Sequence, residues 1–549
     1  WSSDVCSSDL ADEYVERGAR MSPMAATELG IRDLDDQLDT FTVAEADAEA
    51  SLSKEVVEKA KALQPIDEID AISKAVLIER LESRLKLHQS KESFITYSPI
   101  VNPATYIRQI FTIMPTEGDK SIANMAARLN LVGKSLKGWQ STLQEMDALG
   151  LKTARRQVLV VAEQLKTYAN GGWADMARQL DPFDKYPELH QAAKSASAAS
   201  QEMSDWLRNT HAPRSNEADA VGQERYQPWA RYFTGAELDL KATYEWGLAD
   251  LQRINDRMYK AAAKLGLRDK SLKEVADHCE NAELHRIDGE EALLKKLRDF
   301  TEEAVKYLNG KYFDIDERIA FCDARIAPAG AAAAPYYIPP TEDLSRPGTT
   351  WYPTLGHKRF NFWHIASTWY HEAVPGHHLQ FATAALEKDR LSRFQRTGAW
   401  ISGYGEGWAL YAERFMDELG AFDEPSLELG YLSGQALRAA RVVVDIGMHC
   451  GFKAPNGKVW DAQSGFELLV DNAMMAPDFA KSEIERYLGW PGQAISYKVG
   501  ERFWMEIREA AKERLGTSFE IKKFHNYALK IGPMGLDPLK REMANWKGQ

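Results

Sequence analysis

The sequence is poor in cysteine, has no long apolar run and carries no excess of positive charge. Its four cysteines in 549 residues, Cys6, Cys279, Cys322 and Cys450, are scattered and form no CxxC pair. That excludes a disulfide scaffold and a cysteine-based zinc site, and it favours a reducing compartment, the cytoplasm. No stretch approaches the ~18 apolar residues of a membrane span, so no transmembrane segment is expected. Basic residues number 68 against 81 acidic ones, a formal net charge of −13. Such a surface repels phosphate backbones, and no dense Lys/Arg stripe offsets it, so nucleic acid is excluded as a partner. Repeats of fixed period, heptad arrays and Gly/Ser linkers are also missing. What is present suits a folded protein: 15 Trp and 21 Tyr are too many aromatics for a disordered chain. Length gives three or four domains at ~150 residues each, a prior that large helical enzymes exceed.

Trp1–Leu10 reads differently from the rest. It is a short Ser/Asp near-repeat with no helical period, and the chain does not begin with Met. It is read as a non-native segment resembling translated adapter sequence, and any export signal is thereby illegible. From Ala11 to about residue 310 the pattern is helix after helix. Ser53–Leu63, Asp67–His88, Ser121–Met146, Thr153–Ala169, Pro187–Asn209, Ala236–Leu265 and Glu290–Leu308 carry apolar residues at three- and four-residue spacing. Ile319–Ile326, Pro335–Pro340 and Thr349–Tyr352 read as extended, with Ala329–Ala334 as a small-residue connector. Strands here could bind a peptide backbone by edge addition or could merely brace the fold. The expected fold is mostly α: a two-lobed helical protein with a small β element beside the site helix. Residues 11–310 would form a scaffold lobe and residues 311–549 a catalytic lobe, within one continuous fold.

The chemistry concentrates in HEAVPGHHLQ at 371–380. In an H-E-x-x-H helix, two histidines about 40° apart reach one zinc ion, and the Glu beside the first activates the attacking water. Here position i+4 is Pro375, and the next histidines are His377 and His378. On a straight helix His378 returns to the face of His371, but ~10.5 Å further along. Pro375 and Gly376 argue for a break that absorbs two residues and favours His377, with His378 as the alternative. Glu372 is the candidate base.

Zinc hydrolases use three protein ligands and keep one position open. Glu406, in GYGEGWALYAE, opens a helical stretch 35 residues after His371 and supplies a third ligand. Glu413, seven residues on, could orient a ligand imidazole. Donors for a developing oxyanion have several candidates. Arg441, Asp445 and His449 recur at four-residue spacing, either as site residues or as a structural polar ladder. Tyr497 and His525 are the others, each more readily read from sequence as a core or capping residue than as a catalytic one.

Five segments carry a resemblance: HEAVPGHHLQ (371–380), GEGWALYAE (405–413), RVVVDIGMH (441–449), RYLGWPGQAISYKVG (486–500) and FHNYAL (524–529). With them the chain resembles the bacterial family called domain of unknown function 885. That family in turn looks like a distant relative of helical zinc peptidases of the thimet oligopeptidase, angiotensin-converting enzyme and dipeptidyl peptidase III type. The resemblance implies two His and a downstream Glu as zinc ligands, here His371, His377 and Glu406. The Gly-His pair of the dipeptidyl peptidase III motif aligns with Gly376-His377. The angiotensin-converting group implies a His and a Tyr that stabilise the intermediate, which raises Tyr497 and His525. The sequence departs from these relatives by two residues or one in the zinc motif.

The expectation is a zinc-dependent hydrolase of short peptides, of carboxypeptidase, dipeptidase or oligopeptidase type. Tyr497, His525 or Arg441 would bind the oxyanion or the substrate carboxylate. Hydrolysis of a non-peptide amide or ester, and a non-catalytic binding protein with a degenerate site, are the alternatives. Oligomeric state is left open.

Overall fold

The structure, a computed structural model, describes residues 6–327, 334–342 and 344–549. Most of them are helical. The Ala329–Ala333 part of the expected connector and residues 1–5 of the odd N-terminal segment lie outside the described residues. Ser7–Leu10, expected to lack helical structure, instead form the first turn of the helix Ser7–Met21, with Ser7 and Leu10 buried. Asp9 makes that turn possible, because its carboxylate accepts the Cys6 backbone N–H at 3.1 Å.

Two compact units divide the chain. The first takes residues up to Gln64, Leu81–Pro228 and Glu485–Pro491; the second takes Pro65–Arg80, Trp229–Ile484 and Gly492–Gln549. In the first unit the longest helix, Asp119–Ala148, buries Ile122, Met125, Leu129, Val132, Leu136, Trp139 and Leu143. Those positions alternate steps of three and four and form one apolar face of the helix. It faces Pro187–Trp206, whose buried Ala192, Ala193 and Ala196 allow close approach.

The main division between the units falls near residue 228, whereas the composition shift read from sequence lies near 310. The helix Leu240–Lys264 belongs with the later sequence because it packs along Pro425–Cys450. Gly247 makes that possible: a Cβ there would lie 2.9 Å from Val442. Arg257 adds ion pairs to Asp417 and Glu428 at 2.6 and 2.8 Å.

Within the second unit, β1 (Arg286–Asp288) pairs antiparallel with β5 (Arg359–Asn361). A three-stranded sheet has the order β2 (Asp323–Ile326), β4 (Thr349–Tyr352), β3 (Tyr336–Ile338), with β2 parallel and β3 antiparallel to β4. β4 has the bounds read from sequence, whereas β2 and β3 are shorter than the extended stretches Ile319–Ile326 and Pro335–Pro340; Ile319 closes a 3₁₀ turn instead. β5 runs straight into the helix Phe362–Glu372. Asn361 fixes that junction: its carbonyl accepts from Trp363 N–H, and its amide donates to the carbonyls of Cys279 and Ala282. Two further backbone contacts set the helices of this unit. A Cβ on Gly430 would lie 1.9 Å from the Trp363 carbonyl oxygen. A Cβ on Gly407 would lie 2.5 Å from Gly500 Cα, so Ser402–Glu418 and Ser496–Leu515 cross backbone to backbone.

Candidate metal centre

The helix Phe362–Glu372 ends with His371 and Glu372 in its last turn, and a new helix, His377–Leu386, starts after four intervening residues. Pro375, which follows a cis peptide bond, has no N–H to continue the first ladder. The break is held by long backbone bonds: Gly376 N–H reaches the Tyr370 carbonyl at 3.0 Å, and His378 N–H reaches Ala373 at 3.1 Å. Gly376 is required there, since a Cβ would lie 1.9 Å from the His371 carbonyl oxygen. The two residues added to the H-E-x-x-H spacing are thus absorbed in the turn, and the His371 and His377 rings meet edge to face at 4.8 Å.

Glu406 arrives from Ser402–Glu418, which Trp408 ties to the turn by donating to the Pro375 carbonyl at 2.9 Å. Its Oε2 lies 3.1 Å from His371 Nε2 and 3.4 Å from His377 Nε2. One ligand atom from each of the three residues falls within 4.8 Å of the other two. Two imidazoles and a carboxylate are a donor set that zinc takes, with bonds of ~2.0–2.2 Å, and the spacing can close around one ion. Glu413, two turns further on, accepts from His371 Nδ1–H at 2.8 Å, and the Ser367 hydroxyl donates to its other oxygen. That bond fixes the imidazole so that Nε2 faces Glu406. His377 Nδ1 is buried and makes no hydrogen bond.

Electrostatics separates the three carboxylates. Burial pushes the Glu372 carboxyl above its ordinary value, only partly opposed by His377 and His371. Burial would raise Glu406 too, but its bonds to His371 and His377 hold it well below the usual range. Glu413 is likewise lowered, against burial, by His371. Burial works to lower His371, yet the bonds to Glu406 and Glu413 bring it to about 9.

The other expected site residues fall elsewhere or in different roles. His378 is turned away. Its Nε2–H donates to the Ile319 carbonyl at 2.8 Å, and its Nδ1 accepts from the Tyr337 hydroxyl at 3.0 Å. Burial lowers it to about 4, so it is neutral with both nitrogens engaged. His525 is a core histidine rather than an oxyanion donor. Its Nδ1–H donates to Tyr312, its Nε2 accepts from Tyr411, and its ring stacks on Phe313 at 4.5 Å. Burial lowers it to about 3. Arg441 is paired with Glu483 at 2.6 Å and lies over the Tyr497 ring at 4.5 Å. Asp445 accepts the Gly492 backbone N–H at 2.9 Å and faces His449 at 3.7 Å, the polar ladder rather than a ligand set. Tyr497 alone of these is placed against a proposed ligand, its ring stacked 6.4 Å from that of His371.

Three neighbours escaped the sequence reading. Ser367 sits one turn before His371 on the same face, a spacing that could have marked it. Trp400 is 48% exposed and lies edge-on to His377 at 6.4 Å, with Phe381 stacked on it at 5.0 Å. Gly405, flanking Glu406, makes room for that indole: a Cβ would lie 2.3 Å from it. Arg438 lies one turn before Arg441, with its guanidinium 6.0 Å from the Tyr497 ring.

The fold has solved relatives. A "putative lipoprotein" from Colwellia psychrerythraea superposes with a TM-score of 0.86 at 20% identity, covering 100% of this chain and 99% of the other. A protein of unknown function from Shewanella oneidensis with the same description gives 0.78 at 18% identity, covering 98% and 100%. At those identities the likeness is one of fold. No curated protein matches the chain. Among the described residues no helix is long and apolar enough to cross a membrane. Residues 23–543 match the family described as "Bacterial protein of unknown function (DUF885)", and the chain belongs to that family.

Proposed function

We propose that the protein is a zinc-dependent hydrolase that cleaves amide bonds in short peptides. The observation that carries this reading is the convergence of His371, His377 and Glu406, with the buried Glu372 next to the first of them. The likeness of this motif to those of helical zinc peptidases supports it. Zinc, when bound, supplies a Lewis acid that polarises a carbonyl and lowers the pKa of water. Glu372 takes the proton of the attacking water on a carboxylate oxygen and passes it to the departing amine nitrogen. Its raised pKa suits both halves of that transfer. Glu413 and Ser367 hold the His371 ring, and the Tyr497 hydroxyl steadies the oxyanion. Trp400, exposed beside His377, offers an apolar face to a substrate side chain. The lipoprotein descriptions of the two solved relatives give no support to a cytoplasmic location.

Metal analysis with a peptide assay tests the reading. Purified protein should hold about one zinc per chain, and Glu406→Ala should lose it. Full retention in that variant refutes the ligand set. Blocked and free-ended dipeptides should be cleaved with a terminus preference. Turnover of esters alone would replace peptides as the substrate.

A further inference from the structure

Two arginines flank Tyr497, and they are not equivalent. Arg441 is compensated by Glu483. Arg438 has no ion pair among the described residues. Its Nη1 donates to the Gly434 carbonyl at 3.2 Å, and its Nε is buried without a hydrogen-bond partner. The side chain as a whole is half-buried and not sealed from solvent. Gly434 makes room for this posture: a Cβ there would lie 3.0 Å from Arg438 Nη1 and 3.7 Å from Glu413 Oε2. The guanidinium therefore lies beside the carboxylate that holds His371, and its charge acts on both Glu413 and Glu372. The steps from His371 to Tyr497 and from Tyr497 to Arg438 are 6.4 and 6.0 Å. At ~3.5 Å per extended residue, Arg438 is at most about three or four residues of peptide from the proposed metal ligands.

A half-buried guanidinium with no ion-pair partner is costly unless an anion completes it, and its planar fork matches a carboxylate. We infer that Arg438 binds the C-terminal carboxylate of the peptide, which makes this site a carboxy-terminal exopeptidase centre for short chains. The inference rests on the peptidase reading and narrows it. Tyr497, held between the two arginines, would line the path between that carboxylate and the scissile bond.

The test uses zinc-loaded protein carrying Glu372→Gln, so that bound peptide persists, titrated calorimetrically with trialanine and with trialaninamide. Trialanine should bind about tenfold tighter or more, the range of a charge-assisted pair. Adding Arg438→Gln should abolish that preference without weakening the amide. Arg438→Lys, which keeps the charge and loses the fork, should retain part of it and guards against a folding defect in the glutamine variant. Equal binding of the two peptides overturns the assignment, as does a preference that survives Arg438→Gln. If wild-type protein still cleaves both peptides in either case, only the assignment falls. If neither peptide binds and none is cleaved, the peptidase reading falls with it.

Discussion

Glu372, Glu406 and Glu413 share one buried site, and their surroundings separate their protonation. Glu372 is raised by burial, whereas histidine contacts hold the other two down. Carboxylates whose environments drive their pKa values apart take different tasks. Glu372→Gln keeps the shape and removes the proposed base. It should lower kcat by about 10²–10⁴-fold with zinc content unchanged; survival of activity means Glu372 moves no proton. Glu413→Gln should act differently, lowering zinc affinity by about 10–100-fold because His371 loses its anionic anchor. Competition with a chromogenic chelator measures that affinity, and an unchanged value would make Glu413 a bystander. The His-Glu pair and Glu406 were legible from spacing. The choice between His377 and His378 stayed open, because the residues that engage His378 are Tyr337 and Ile319, distant in sequence. His525, raised only by the family resemblance, has a core role that depends on partners from other elements, Tyr312 and Tyr411.

At the scale of elements, helix interiors of this chain carry glycine where propensity disfavours it by ~1 kcal/mol each. The return is backbone contact. A Cβ on Gly500 would lie 2.2 Å from the Gly403 carbonyl oxygen, and one on Gly407 would strike Gly500. Gly403 and Gly407 bracket Glu406 on one helix, so the crossing sets where the proposed third ligand points. Gly500→Ala should therefore destabilise by roughly 1–3 kcal/mol, the cost of overpacking, and also reduce zinc occupancy. Calorimetry and metal analysis on the same sample read both effects. A lower Tm with full zinc would show that Glu406 is set by something other than this crossing. The helices themselves were legible: Glu290–Leu308 has the bounds its periodicity predicts. Contacts such as Gly407 on Gly500 were not, because a glycine in sequence does not name the backbone it meets. Thr349–Tyr352 is the strand read from sequence, but the two stretches before it were overestimated, because β-prone residues beside Pro and Gly mark extended chain whether or not a partner strand lies beside it.

For the whole molecule, the composition shift near residue 310 and the division into compact units near residue 228 register different things. Composition registers the start of the strands, whereas compactness depends on which helices pack, and Leu240–Lys264 packs on Pro425–Cys450. The unit that results buries His525 completely, among Phe313, Trp408, Tyr411 and Phe415. Its folded pKa of about 3 lies below the ordinary 6.5 of an exposed histidine. Above pH 6.5 the group is neutral in both states and adds no pH dependence. Below 6.5 the unfolded chain gains a proton that the folded chain refuses, so stability falls as the pH drops toward 3. The full loss is roughly 5 kcal/mol, at ~1.4 kcal/mol for each tenfold difference in proton affinity between the two states. His525→Gln keeps a donor and an acceptor but does not titrate. At pH 7.5 the variant should unfold below wild type, from lost stacking on Phe313. Between pH 6.5 and 4 the gap in Tm should narrow, because only wild type carries the proton penalty. Calorimetric scans of both proteins across that window, run with chelator to remove metal effects, decide the matter. A gap that stays constant would mean that His525 accepts a proton inside the fold, against the neutral ring that its two hydrogen bonds require.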